Sequence, residues 1–345
     1  MLMNPFKVLT LSLLVLLTLP GIGCKSVEVN SPQDEKVIVA YVTSWSEIVP
    51  DPSYFTVLNY AFGHVNETFD GIRIDNVDRF RRMIKLKEKN PDLKVLLSIG
   101  GWGSGGFSEM AASDTLRHSF AKNCNEIIEQ YNIDGIDIDW EYPTIGWAGI
   151  SSSEDDTKNF TLLMQDIREA ISEKKLLTLA SSATAKYIDF KSVVPLVDFV
   201  NLMTYDMSDG KAHHAPLYSS PITSDMTADK SVRLHREAGV PDEKIVLGMP
   251  FYGRGNHNGE TYYNDFKNLR LEERQKEKWD SISQSPYIAD EEGNFVFGYD
   301  NACSIKIKCH YILDHNLKGA MYWDCNGDDS IKSLSATIRK ELRGM

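Results

Sequence analysis

Asp134-Gly135-Ile136-Asp137-Ile138-Asp139-Trp140-Glu141-Tyr142 is the stretch on which the reading of this chain turns. Side chains along a β-strand point alternately to opposite faces. In a strand running from Gly135 to Tyr142, Asp137, Asp139 and Glu141 share one face and Ile136, Ile138 and Trp140 share the other. The apolar face needs a covering layer. The acidic face has to look into a space where several carboxyl groups can sit together.

Working outward, seven further short apolar runs have strand character: Val37–Trp45, Val57–Val65, Lys94–Trp102, Leu176–Ser182, Phe199–Asp206, Ile245–Tyr252 and Gly319–Asp324. Between them lie amphipathic stretches with helical spacing, at Val77–Lys89, Ser113–Tyr131, Thr157–Glu173 and Ser330–Leu342. Residues 46–56 lack a clean helix, and 184–197 have room only for a short one. Eight strands separated by crossovers imply a parallel sheet, and eight is the number that closes a (β/α)8 TIM barrel. An open doubly wound sheet competes, but it calls for a Gly-rich turn after the first strand. Here that strand ends in Thr43-Ser44-Trp45. A barrel places its chemistry at the C-terminal ends of its strands. There the sequence collects Trp45, Gly100-Gly101-Trp102, Asp139, Glu141, Tyr205-Asp206, Tyr252, Arg254 and Trp323-Asp324.

The composition sets outer bounds. In 345 residues, 42% are hydrophobic, 25% charged and 10% aromatic, which excludes a disordered or collagen-like chain. The formal net charge of −12 argues against nucleic acid as a partner. Residues 1–23 read as an export signal, with Lys7 ahead of an apolar run from Val8 to Leu19 that is too short for a membrane span. Gly21-Ile22-Gly23-Cys24 resembles a bacterial lipoprotein site with Cys24 as the lipidated residue, and residues 24–35 read as a tether. The expected location is therefore the cell envelope or surface, with secretion as the alternative. Membrane contact would come through the lipid alone. Cys124, Cys303, Cys309 and Cys325 show no zinc spacing and read as buried or free thiols. The neighbours His213 and His214 are poor mutual metal ligands and read as a satisfied or solvated loop pair.

The acidic strand points to chemistry. Three carboxylates in a row repel when ionised, so at least one should hold a proton near neutral pH. A carboxylic acid in a cleft suits the cleavage of a glycosidic bond. Aligned carboxylates also suit Ca²⁺ or Mg²⁺, and a sugar-binding surface without catalysis fits the same residues. A solvated acidic face is disfavoured by the intervening isoleucines.

The pattern Asp-x-x-Asp-x-Asp-x-Glu at 134, 137, 139 and 141 resembles that of glycoside hydrolase family 18, the chitinase and endo-β-N-acetylglucosaminidase family. So do Ser98-Ile-Gly-Gly-Trp102, Met203-Thr-Tyr205-Asp206, Gly248-Met-Pro-Phe-Tyr252-Gly-Arg254 and Gly319-Ala-Met-Tyr-Trp323, in the family's order across residues 36–345. The resemblance implies a (β/α)8 barrel in a single catalytic domain, with no cofactor and no metal. It implies that Glu141 is the acid and then the base, that Asp139 orients the substrate's acetamido group, and that Asp137 bonds Asp139 and shares its proton. Tyr205 would donate to the acetamido oxygen, Asp206 would help hold the sugar, and Trp323 would be the floor beneath it. Gly101, Trp102, Tyr41, Phe62, Met203, Tyr252 and Arg254 match further substrate-binding positions.

One departure matters. Many members insert an α+β domain between strands seven and eight, whereas Arg254 to Gly298 is only 45 residues here. A reduced insertion at 255–298 implies a more open cleft and endo-type cutting. It leaves no length for a separate chitin-binding module. The expected activity is retaining, substrate-assisted hydrolysis of β-1,4-linked N-acetylglucosamine polymers or oligomers by a monomer. The alternatives are cleavage of the chitobiose core of N-glycans and a non-catalytic glycan-binding lipoprotein.

Overall fold

The computed structural model describes residues 36–255, 259–268 and 276–344. The expected signal, Cys24 and the tether lie outside the described residues. Eight parallel strands form a closed barrel: Val37–Thr43, Val57–Val65, Lys94–Gly100, Gly135–Asp139, Leu176–Ser182, Phe199–Met203, Ile245–Pro250 and Gly319–Trp323. Each pairs with the next, and the eighth returns to the first through Val37 opposite Gly319. This is the (β/α)8 architecture that the strand count predicts.

Alternation along each strand builds two cores. Outward residues such as Ile136, Ile138, Leu177 and Leu179 pack beneath the surrounding helices. Inward residues, among them Val39, Leu96, Phe199, Val246 and Met321, fill the barrel. A register shift between Ala61 and Gly63 breaks the alternation in the second strand. It turns Phe62 inward directly after Ala61.

The expected helices are present, with ends set by caps. Ser113 accepts a hydrogen bond from the Leu116 amide to open Asp114–Tyr131. Val77–Ile84 tightens into a short 3₁₀ turn instead of running on to Lys89. Four helices have no clear counterpart among the expected amphipathic stretches: Phe107–Ala112, Ala228–Ala238, Tyr263–Asn268 and Ala302–Asp314. Ala228–Ala238 buries Ala228, Ser231, Val232 and His235, a face on which Val232 is the one large aliphatic side chain. Cys303 and Cys309 share the Ala302–Asp314 helix, and all four described cysteines are free thiols.

Six of the eight expected strands run past the observed ladder at the C-terminal end, by one to three residues. There the backbone leaves the extended conformation, with φ at +129° for Gly100, +90° for Gly101 and +54° for Asp206. A side chain at Gly100 would strike the Asp139 carbonyl oxygen at 2.0 Å. Between the seventh and eighth strands, Tyr252–Gly255 opens a five-stranded antiparallel sheet with Gly259–Tyr262, Lys276–Asp280, Ser285–Ala289 and Phe295–Gly298.

Candidate active site

The strand ends surround one cleft of about 1010 Å³. It gathers Glu141, Asp139, Tyr205, Asp206, Trp323, Met203, Trp102, Gly101, Tyr41, Phe62, Tyr252 and Arg254. Of the catalytic and substrate-binding candidates, Asp137 alone lies beneath the cleft surface, fully buried.

Asp137 is a hydrogen-bond hub inside the barrel. Tyr41 and Ser98 donate to Oδ2 at 2.7 Å each, and Thr178 and Asn201 donate to Oδ1 at 2.5 and 3.2 Å. Four neighbouring elements thus converge on one carboxyl group. Burial raises its proton affinity while the four donors pull the other way. The hydrogen bonds described for Asp137 come from these four cross-strand donors. Tyr41 lines the cleft with its ring, but its hydroxyl points down to Asp137.

Asp139 sits one step higher and is 4% exposed. Its Oδ1 is buried without a hydrogen-bond partner among the described residues. Burial raises its proton affinity well above the ordinary value, and the charges of Glu141 and Asp137 add to the effect. Glu141 lies just past the strand end and is half-buried. Burial pushes its carboxyl up to about 7; a hydrogen bond from Tyr142 lowers it and the charge of Asp206 raises it. Gly101 N–H donates to the Asp139 carbonyl at 2.9 Å, tying the third strand's loop to the acidic strand.

The opposite wall behaves differently. Burial alone would raise the Asp206 carboxyl. Hydrogen bonds and charge from His214 and Arg254 overcome it and hold the group well below the usual carboxylate range. Tyr252 donates to Asp206 Oδ1 at 2.8 Å, and Arg254 grips both oxygens, with Nη2 at 2.8 Å from Oδ2. The tyrosine at 205 keeps its proton, because burial and the nearby carboxylates raise it well above its ordinary value. Among the described residues its hydroxyl meets only the Met321 sulfur, at 3.8 Å.

His213 and His214 are both buried and turn to different partners. His214 Nδ1 lies 3.4 Å from Asp206, and His213 Nε2 lies 3.6 Å from Asp280. The pair joins the cleft wall to the small sheet.

Aromatic rings frame the cleft. Trp323 is stacked on Phe62 at 5.6 Å and tilted against Tyr41 at 5.5 Å, with Trp45 at 6.5 Å. Several cleft residues were not singled out from sequence as site residues: Tyr142, Trp147, Tyr187 and His64. His64 hydrogen-bonds Ser104 Oγ at 2.8 Å and Asp75 Oδ2 at 2.9 Å, linking the second strand to the Trp102 loop. A tryptophan set among glycines, as in Gly146-Trp147-Ala148-Gly149, was a signal available in the sequence.

A sequence profile described as "Glycosyl hydrolases family 18" matches residues 37–328. The chain belongs to this family. It is 32% identical to Chitinase A1 of Niallia circulans over 90% of its own length and half of that protein's. It is 30% identical to Chitotriosidase-1 of Mus musculus, over 88% of this chain and 78% of that one. A family 18 N-acetylglucosaminidase structure from Paenibacillus barengoltzii superposes with a TM-score of 0.81 at 32% identity, covering 89% of this chain and 99% of that one. As a family 18 member, the chain carries the family's acidic motif on its fourth barrel strand.

Proposed function

We propose that this family 18 chain hydrolyses β-1,4-linked N-acetylglucosamine chains with retention, cutting internally and using the substrate's own acetamido group as nucleophile. The observation that carries the proposal is the buried Asp139 Oδ1, an acceptor without a partner among the described residues. It lies one alternation below an acid whose pKa sits about 7. An acetamido N–H supplies the donor that Asp139 lacks.

In the first step Glu141 gives its proton to the glycosidic oxygen. The acetamido carbonyl oxygen attacks the anomeric carbon as the bond to the leaving sugar breaks. Asp139 accepts the acetamido N–H and faces the positive charge of the resulting oxazolinium. Tyr205 donates its hydroxyl to the acetamido oxygen, and Trp323 supplies the apolar floor. Glu141, now ionised, takes a proton from water as the water adds to the anomeric carbon and displaces the acetamido oxygen, which reopens the oxazolinium ring and restores the acetamido group; retention follows from the two inversions. The ionised Asp206 holds the sugar and raises the proton affinity of Glu141.

The similarity to chitinases supports this substrate class. A second reading is removal of single N-acetylglucosamine units, because the Paenibacillus barengoltzii neighbour of nearly equal span is described as an N-acetylglucosaminidase. Cleavage of the N-glycan chitobiose core is a third. The test is product analysis on chitotetraose, chitohexaose and a high-mannose glycoprotein, for wild type and Glu141→Gln. Early chitobiose and chitotriose support internal cutting, whereas early monomer supports the second reading. Hydrolysis of none of the three sinks the proposal. We also propose that Cys24 carries a lipid that holds a monomeric enzyme at the cell envelope. Labelled fatty-acid incorporation that persists in Cys24→Ala overturns that assignment.

A further inference from the structure

Residues 44–56 form no strand or helix, yet they carry Trp45 at the rim of the cleft. The Trp45 ring is 60% exposed and meets Phe62 and Trp323 only at tilted angles, at 6.3 and 6.5 Å. Packing therefore does little to fix the ring, and its place depends on the main chain of its loop.

The carbonyls on either side of Trp45 are held by the start of one helix. Arg79 Nε donates to the Thr43 carbonyl and Nη2 to the Ile48 carbonyl, at 2.8 Å each. Asn76 Nδ2 donates to the Ser44 carbonyl at 2.9 Å. Asn76 caps the helix Val77–Ile84, and its side chain accepts from the Arg79 amide at 3.2 Å. The two loop-holding side chains are thus tied to each other. The Tyr60 hydroxyl lies 2.9 Å from the carbonyls of both Asp75 and Asn76, anchoring this helix start to the second barrel strand.

Arg79 is fully buried, on the same helix face as Phe80 and Met83. A buried guanidinium is costly unless its donors are used. The hydrogen bonds described for its side chain go to loop carbonyls and not to a carboxylate. A methionine would pack at this position without the cost of a buried charge, but it would leave both carbonyls without a donor. Arg79 itself does not line the cleft.

We infer that Arg79 is a positioning residue for substrate binding: through the Thr43 and Ile48 carbonyls it fixes Trp45 beside the Trp323 floor. The inference rests on the proposed hydrolase reading for the identity of the substrate. Arg79 reaches neither the sugar nor the acid, so its whole effect on the substrate travels through Trp45. A lysine ammonium is a compact point charge and does not reproduce the guanidinium fork across two carbonyls.

The test is a double-mutant cycle on chitohexaose binding, titrated into Glu141→Gln as the background. Arg79→Met weakens binding roughly 3- to 10-fold. Arg79→Lys loses less. Added to Trp45→Ala, Arg79→Met causes no further loss, because the ring it positions is gone. With Glu141 in place, the loss in Arg79→Met falls on KM, whereas an enzyme that merely folds less well loses kcat at unchanged KM. Unchanged binding in Arg79→Met, or an equal loss with and without Trp45, overturns the inference. If Arg79→Met does not fold, Arg79→Lys runs the same cycle under the same criteria. If the wild type leaves chitohexaose intact while the cycle holds, the hydrolase reading falls and the positioning role stands. Undetectable chitohexaose binding overturns both.

Discussion

The two walls of the cleft carry the same kind of group with proton affinities shifted in opposite directions. On the acidic strand, Asp137, Asp139 and Glu141 all bind their protons more tightly than a free carboxyl. Across the cleft, Asp206 binds its proton less tightly than a free carboxyl. Burial acts in the same direction on all four. The difference lies in the partners: the Arg254 guanidinium grips Asp206 and His214 lies beside it, while the donors around Asp137 are neutral hydroxyls and an amide. Neutral donors only temper burial, whereas a guanidinium overcomes it. One wall can therefore supply a proton at a pH where the other stays anionic, as general-acid cleavage of a sugar requires.

The comparison can be broken most directly at its acid. Glu141→Gln is expected to cost about 10²- to 10⁴-fold in kcat/KM on chito-oligosaccharides, with the thermal melting temperature close to wild type. Asp137→Ala tests the hub. It strands Tyr41, Ser98, Thr178 and Asn201, so urea unfolding should show a loss of about 3 kcal/mol. A smaller loss in Asp137→Asn, which keeps one acceptor, would show that the donors and not the volume set the cost.

The pH profile sharpens the comparison further. A carboxyl with a raised pKa is protonated below that value, so kcat/KM should fall as pH rises through about 7. The acid limb belongs to Asp206, which must stay ionised. Arg254→Met removes its cation and should move that limb upward by roughly one unit. Asp206→Asn gives the smallest expected effect. It removes a charge that raises Glu141, so the alkaline limb should move down by roughly half a unit. A limb that stays in place would show that the two walls are electrostatically independent.

Much of this was legible in the sequence, for identifiable reasons. Period-2 alternation places the carboxylates at 137 and 139 opposite Ile136 and Ile138, and strand geometry allows no other division. The runs at Val57–Val65 and Leu176–Ser182 coincide with the observed strands, because apolar residues bounded by turn signals mark them clearly. The motif residues reach one cleft because a barrel brings every strand end to the same face. The helix Ala228–Ala238 stayed hidden because Val232 is the one large aliphatic side chain on its buried face.

Long-range packing decided the rest. The acidic motif by itself implies three interacting carboxylates, but not that Asp137 would be saturated by side chains 39 to 96 residues away. Nor does it show that Asp139 Oδ1 is left without a partner among the described residues. A local repeat specifies which way a side chain points from its own strand. The donors, cations and rings it meets depend on how eight strands and their loops close around it. That closure brought Arg254 to Asp206 and Arg79 to the carbonyls beside Trp45.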